Sequence, residues 1–243
     1  MIQLFTKELY SYFSSLTAYI VILVFLLISS LFLWVFPGLF NLLDTGYASL
    51  DPLFTLAPWV FLFLIPAVSM RLFSDEKKSG TIELLLTRPL NELQISMAKY
   101  LAALSIVLFS LLPSLLYFLS LYWLGNPVGN IDAGGTWGSY IGLFFLAAIY
   151  TSIGLFASAL TDNQIVAFIL ALILSFFFFL GFEQIADSLF TGNTALIISN
   201  LGIFKHYQSM SRGVLDLRDL SYFLGVIAVF IFGTKLVLES RKW

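Results

Sequence analysis

The chain has 243 residues, of which 60% are apolar and only 11% charged, with a mean hydropathy of +0.96. Soluble domains run at about half apolar and a quarter charged, so an ordinary globule, a disordered chain and a basic nucleic-acid binder are all excluded. The solvent such a chain requires is lipid. Net charge is -2, so composition offers nothing for a polyanion; the absence of cysteine removes disulfides and catalytic thiols, and a single histidine removes multi-histidine metal sites.

In chain order, residues 1–16 come first. Phe5, Leu9, Tyr12, Phe13 and Leu16 recur at helical spacing, with Lys7, Glu8, Ser11, Ser14 and Ser15 largely between them. This predicts an amphipathic helix lying in the inner headgroup region. The alternative is a plain extension of the first span. Six apolar runs then predict six transmembrane helices, at 17–36, 53–70, 100–124, 137–160, 165–182 and 220–238. The first run is longer than a signal-peptide core and no A-x-A site follows it, so it is read as retained. The fold class is all-α integral membrane, six transmembrane helices with an N-terminal amphipathic interfacial helix in a single domain over 1–243.

Orientation follows the basic residues. With the N-terminus inside, Lys7, Arg71, Lys77, Lys78, Arg88, Lys99, Lys235, Arg241 and Lys242 lie inside, and only Lys205, Arg212 and Arg218 outside. The C-terminus then returns to the cytoplasmic side. Trp34, Trp59, Trp123 and Trp137 all fall at one interface, where an amphipathic ring prefers to sit.

The segment 71–99 is the one long inner loop. Gly80 and Thr81 interrupt its charges; Thr81 then caps a short helix with Glu83 in its first turn, followed by Leu84, Leu85 and Leu86 and stopped by Arg88-Pro89. Asn91 with Gln94 forms a capping box for a second helix that runs into span three. Exposed leucines on a short helix call for a covering partner, or they fold back on the membrane. The outer loop, 183–219, places Ile197, Leu201, Phe204 and Tyr207 on one helical face. Its apolar stretch 195–204 suits a single interfacial or re-entrant helix, with Asp219 capping span six. His206 reads as a surface or interfacial residue. In span four, Ala147, Thr151, Gly154 and Ser158 line up small side chains. They serve either packing within the chain or a subunit interface or pathway wall.

No span interior carries Asp, Glu or Arg, and no Gly-Lys pair forms a phosphate loop. No cofactor is expected in this chain, and any work done must be energised by another protein.

The run from Glu76 to Pro89, E-K-K-S-G-T-I-E-L-L-L-T-R-P, followed by Lys99-Tyr100, resembles the coupling loop of ABC-2-type transporter permeases. The six-span layout and G-L-F-A-S-A-L-T-D-N-Q, Gly154 to Gln164, are similar to that family too. Within it, F-K-H-Y-Q-S-M-S-R-G-V-L-D-L-R-D-L, Phe204 to Leu220, resembles the permease subunits associated with bacterial gliding motility. The resemblance implies an ABC ATPase subunit on the cytosolic face, holding ATP and Mg, and a second permease subunit of a different chain. It implies location in the bacterial inner membrane. It implies ATPase coupling through Glu76, Lys77, Gly80, Thr81, Glu83, Leu84, Leu85 and Arg88, with no catalytic, cofactor or metal site in the chain itself. The other readings are a scaffold or force-transmitting anchor that moves no substrate, an intramembrane enzyme, and a channel; neither clustered catalytic residues nor a selectivity filter is visible for the last two.

Overall fold

The structure is a computed structural model, and it describes residues 1–86 and 90–240. Arg88, placed by sequence in the coupling loop, lies outside the described residues, as do Arg241 and Lys242 of the charge count. Among the described residues every regular element is a helix. The order is α1 (Ile2–Ser14), α2 (Leu16–Ser30), α3 (Asp51–Ser69), α4 (Arg71–Lys78), α5 (Ile82–Leu86), α6 (Glu92–Leu124), α7 (Ala133–Leu160), α8 (Gln164–Phe176), α9 (Phe182–Leu189), α10 (Asn193–Ser199), α11 (Ile203–Met210) and α12 (Leu217–Glu239). Six stretches are long and apolar enough to cross a membrane: α2, α3 with α4, α6, α7, α8 with α9, and α12.

Local chemistry sets the ends. Ser15 is extended between α1 and α2, and its hydroxyl accepts the Thr17 N–H at 3.4 Å while donating to the Tyr12 carbonyl at 2.9 Å. The chain therefore turns from the amphipathic helix into span one over a single residue. At the start of α6 the capping box is present. The Gln94 N–H donates to Asn91 Oδ1 at 3.0 Å, and the Asn91 N–H donates to Gln94 Oε1 at 3.3 Å. Asp132 caps α7 through the Gly135 N–H at 2.9 Å, and Asn163 caps α8 through the Ile165 N–H at 2.9 Å.

Helix α7 is the axis of the bundle. It packs against α3, α4, α6, α8, α11 and α12. In its apolar stretch 78% of residues are buried, against 22% in α8–α9 and in α12, which leaves those two helices facing lipid or a partner. Helix α6, at 33 residues, is about 50 Å long and overreaches a hydrocarbon core of roughly 30 Å. Its first turns project beyond span three at the end that carries α1, α4 and α5.

Three local expectations change. The helix of span two does not end at Met70; α4 follows almost in line, so the exposed part of the 71–99 loop begins only at Lys78. The stretch 195–204 is not one helix but parts of two, α10 and α11. It breaks at residues 200–202, which leaves Ile197 and Leu201 exposed while Ile203, Tyr207 and Met210 are buried. Asp216, not Asp219, caps α12, accepting the Arg218 N–H at 2.9 Å. Two π-helical turns, Leu31–Val35 after α2 and Phe177–Gly181 before α9, widen the far ends of spans one and five.

Candidate coupling site

The site is built at the end of the bundle that carries α1 and α5. Its centre is Lys99, in the projecting part of α6. The side chain is 1% exposed, and its ammonium reaches two carboxylates, Glu8 Oε1 of α1 at 3.2 Å and Glu76 Oε1 of α4 at 3.0 Å. It also lies 5.3 Å from the centre of the Phe73 ring. One buried cation thus joins three helices from three parts of the chain. Removing a lone partner from such a group would leave a buried charge uncompensated, which costs about 3–5 kcal/mol.

Helix α4 is held on its other side by α7 and α8. The Ser158 hydroxyl accepts the N–H groups of Phe73 at 2.9 Å and Ser74 at 3.1 Å, and it donates to the Met70 carbonyl at 2.9 Å. The two N–H groups are those left open where α3 gives way to α4, and the Met70 carbonyl also accepts the Ser74 hydroxyl, so one hydroxyl from span four repairs the discontinuity in span two. The Lys77 ammonium donates to the Ala159 carbonyl, at the end of α7, and the Gln164 amide donates to Asp75. Gly154 lets this approach happen: a methyl group there would sit 2.6 Å from Ser69 Cβ. Thr151 is fully buried and returns its hydroxyl to the Ala147 carbonyl at 2.8 Å. The small-residue stripe of span four, Thr151, Gly154 and Ser158, therefore faces inward, with Gly154 and Ser158 against span two.

Beyond α4, Gly80 adopts a φ of +71°, a conformation that an L side chain resists, and turns the chain into α5. The Thr81 hydroxyl meets Ser79 Oγ at 2.9 Å, and the Thr81 carbonyl accepts the Leu85 N–H at 3.2 Å. Ile82 and Leu85 are buried, whereas Leu84 is 69% exposed and Glu83 is exposed beside it. A cleft of about 270 Å³, lined by Leu4, Lys7, Glu76, Thr81, Leu84 and Leu85, separates α5 from α1. The structure thus gathers Glu76, Lys77, Gly80, Thr81, Glu83, Leu84 and Leu85 at one end of the bundle. It leaves Thr151, Gly154 and Ser158 as the inner wall behind them.

Helix α1 is anchored to the same region. The Tyr12 hydroxyl donates to the Val68 carbonyl at 3.0 Å. Burial pushes the Tyr12 hydroxyl above its usual range, with the Glu8 carboxylate adding to the rise.

A family model described as ABC-2 family transporter protein matches residues 45–239. The chain belongs to the ABC-2 transporter family. It is accordingly a multi-pass transmembrane permease. The match takes in α3 to α12, including the Glu76–Leu85 region and Lys99, and leaves α1 and α2 outside it. No curated protein matches the chain. Among ABC-2 permease residues at this site, the partnership of Lys99 with Glu8 was missed by sequence reasoning. The available signal was Lys99 itself, a charge seven residues after Glu92 and on the same face of the helix that enters span three.

Proposed function

We propose that this ABC-2 permease is driven by a separate ABC ATPase subunit that docks on α5 and supplies the ATP and Mg chemistry. In this reading a second permease of different sequence completes the transporter, the membrane is a bacterial inner membrane, and both termini are cytoplasmic. The observation that carries it is the linkage of α5. It presents exposed Leu84 and Glu83, and a tight glycine turn joins it to α4. Helix α4 is bonded in turn to α6, α7 and α8, through Lys99, Ser158 and Gln164. A push on α5 is therefore delivered to α4, and α4 cannot move without straining three spans. Through Lys99 and Glu8 the amphipathic α1 moves with them. Packed interfaces of this kind convert small shifts into discrete rearrangements.

The test is a pair of substitutions on α5, Leu84→Asp and Glu83→Lys, in the chain expressed with its native partners. Both residues are exposed, so the variants fold. We expect co-purifying ATP hydrolysis to fall about tenfold or more, as for loss of an interface anchor. Unchanged association and unchanged hydrolysis would remove α5 as the docking helix. The scaffold reading is separated by reconstitution into liposomes. ATP-dependent movement of lipid or polymer supports transport, whereas hydrolysis with shape change alone supports an anchor. We also assign the chain to the gliding-associated subgroup on the likeness of residues 204–220. Loss of surface gliding in a cell carrying the Leu84→Asp chain tests that assignment.

A further inference from the structure

Between α1, α4 and the start of α6 lies a cavity of about 250 Å³ that the docking of α5 does not use. Its charged walls are Lys7, Glu8, Arg71, Asp75, Glu76 and Lys99. Its depth in the membrane is set by the chain. Arg71 is the first charged residue after the uncharged run 52–70 of span two, and Thr17, which its guanidinium touches, is the second residue of span one. The cavity therefore opens at the headgroup level of one leaflet, under an amphipathic helix.

Its charges are not fully spent. Lys99 is shared by Glu8 and Glu76, and Asp75 takes the Gln164 amide. The half-buried Arg71 has only the Thr17 hydroxyl; among the described residues no carboxylate lies within 4.0 Å of it. The Glu76 Oε2 atom is buried and receives no hydrogen bond from the described residues. The walls thus offer an arginine without an anion at the rim, and carboxylates with spare acceptor capacity deeper in. Three cations and three anions line the space, so its net charge suits a zwitterion rather than an anion.

We propose that this cavity binds the headgroup of a phosphatidylethanolamine-type lipid. The phosphate pairs with Arg71, supported by the hydroxyl of Ser11. The ammonium turns inward to Asp75 and Glu76. The acyl chains leave past the start of span one, where Leu16, Tyr19 and Ile20 are exposed. The proposal stands on the membrane-spanning fold and is independent of any ATPase.

The experiment is native mass spectrometry of the detergent-purified chain with equal amounts of phosphatidylethanolamine, phosphatidylglycerol and phosphatidylcholine, and separately with soluble phosphoethanolamine. One phosphatidylethanolamine per chain is expected to be retained, and Arg71→Gln to weaken retention about tenfold or more, as for loss of a charge-assisted hydrogen bond. Arg71→Lys should recover part of it. If Arg71→Gln fails to fold, Ser11→Phe, on an exposed position at the mouth, is expected to block the lipid equally. Equal retention of all three lipids, or retention indifferent to both variants, overturns the proposal. Binding of soluble phosphoethanolamine with no lipid retained overturns the lipid as its source.

Discussion

The Ser158 hydroxyl of span four accepts the backbone N–H of Phe73 at 2.9 Å, across 85 residues of sequence. It takes the Ser74 N–H as well and returns its own proton to Met70. Ser158→Ala leaves two buried donors and one carbonyl without that partner. We expect a loss of about 1–3 kcal/mol, read as a lowered thermal midpoint in detergent. Ser158→Thr, which restores the hydroxyl, should lose less unless its methyl group collides with span two.

Gly154 is tested separately. A Cβ at 154 would meet Ser69 at 2.6 Å, and both residues lie on helices packed within the chain. Gly154→Ala should therefore destabilise by about 1–3 kcal/mol through overpacking. Ser69→Gly in the same chain removes the colliding atoms. A double-mutant cycle with no coupling between the two would show that the approach of α3 to α7 is looser than the distances state.

Lys99 separates folding from coupling. Lys99→Met removes the buried cation that Glu8 and Glu76 share, leaving Glu8 to the exposed Lys7, and should cost about 3–5 kcal/mol. The triple variant Lys99→Met, Glu8→Gln, Glu76→Gln removes every charge of the cluster, and its stability should return close to that of the parent. If the cluster conveys movement from α4 to α1, ATP hydrolysis in the assembled complex stays uncoupled from transport in the triple variant although the protein is stable. A triple variant with full transport would reduce Lys99 to a packing role.

At the opposite end, His206 is held by two acceptors, Asp219 Oδ1 at 2.7 Å and the Asn200 carbonyl at 2.9 Å, and stacks on Tyr222 at 3.9 Å. It fastens the loop bearing α10 and α11 to the start of α12. His206→Phe keeps the stack and deletes both polar contacts. Hydrogen exchange in residues 200–216 should then accelerate by about 5- to 150-fold, corresponding to a loss of about 1–3 kcal/mol. Exchange at the parent rate would mean that Tyr207 and its neighbours hold the loop unaided.

Tyr207 supplies an alkaline test. Its hydroxyl donates to the Phe54 carbonyl at 2.6 Å, and burial pushes it well above the ordinary tyrosine value. The neutral form is the one the fold favours. Its contribution is therefore complete below the unfolded value near 10 and shrinks as pH rises beyond it. The thermal midpoint of the parent should fall more steeply above about pH 10 than that of Tyr207→Phe, because phenylalanine has no proton to lose. Parallel curves would place the fall elsewhere.

What the sequence makes legible is whatever is carried by neighbours in the chain. The six spans follow from uninterrupted apolar runs, and the Asn91–Gln94 cap from two residues three apart. The continuation of span two through α4 is not legible. Asp75, Glu76 and Lys77 read as a solvated loop until Gln164, Lys99 and Ala159 arrive from elsewhere to meet them and Ser158 takes up the backbone of α4. The outer loop fails for a related reason. Ile197 and Tyr207 share a helical phase on paper, but the turn at 200–202 resets that phase, and only α11 is drawn inward by its contacts with Phe54 and Phe179. The inward direction of Gly154 and Ser158 likewise depends on which helix lies opposite, which a single span cannot state.

The sharing of one lysine by Glu8 and Glu76 also orders events at the ribosome. Glu8 is made 91 residues before Lys99, so at about 5–20 residues per second it waits roughly 5–20 s for its counter-ion. Until then Glu8 has only Lys7 of its own helix as an ionic partner among the described residues, so α1 lacks its charged tie to the rest of the bundle. Sealing of the N-terminal segment is thus a late step of biogenesis, contingent on delivery of the third span.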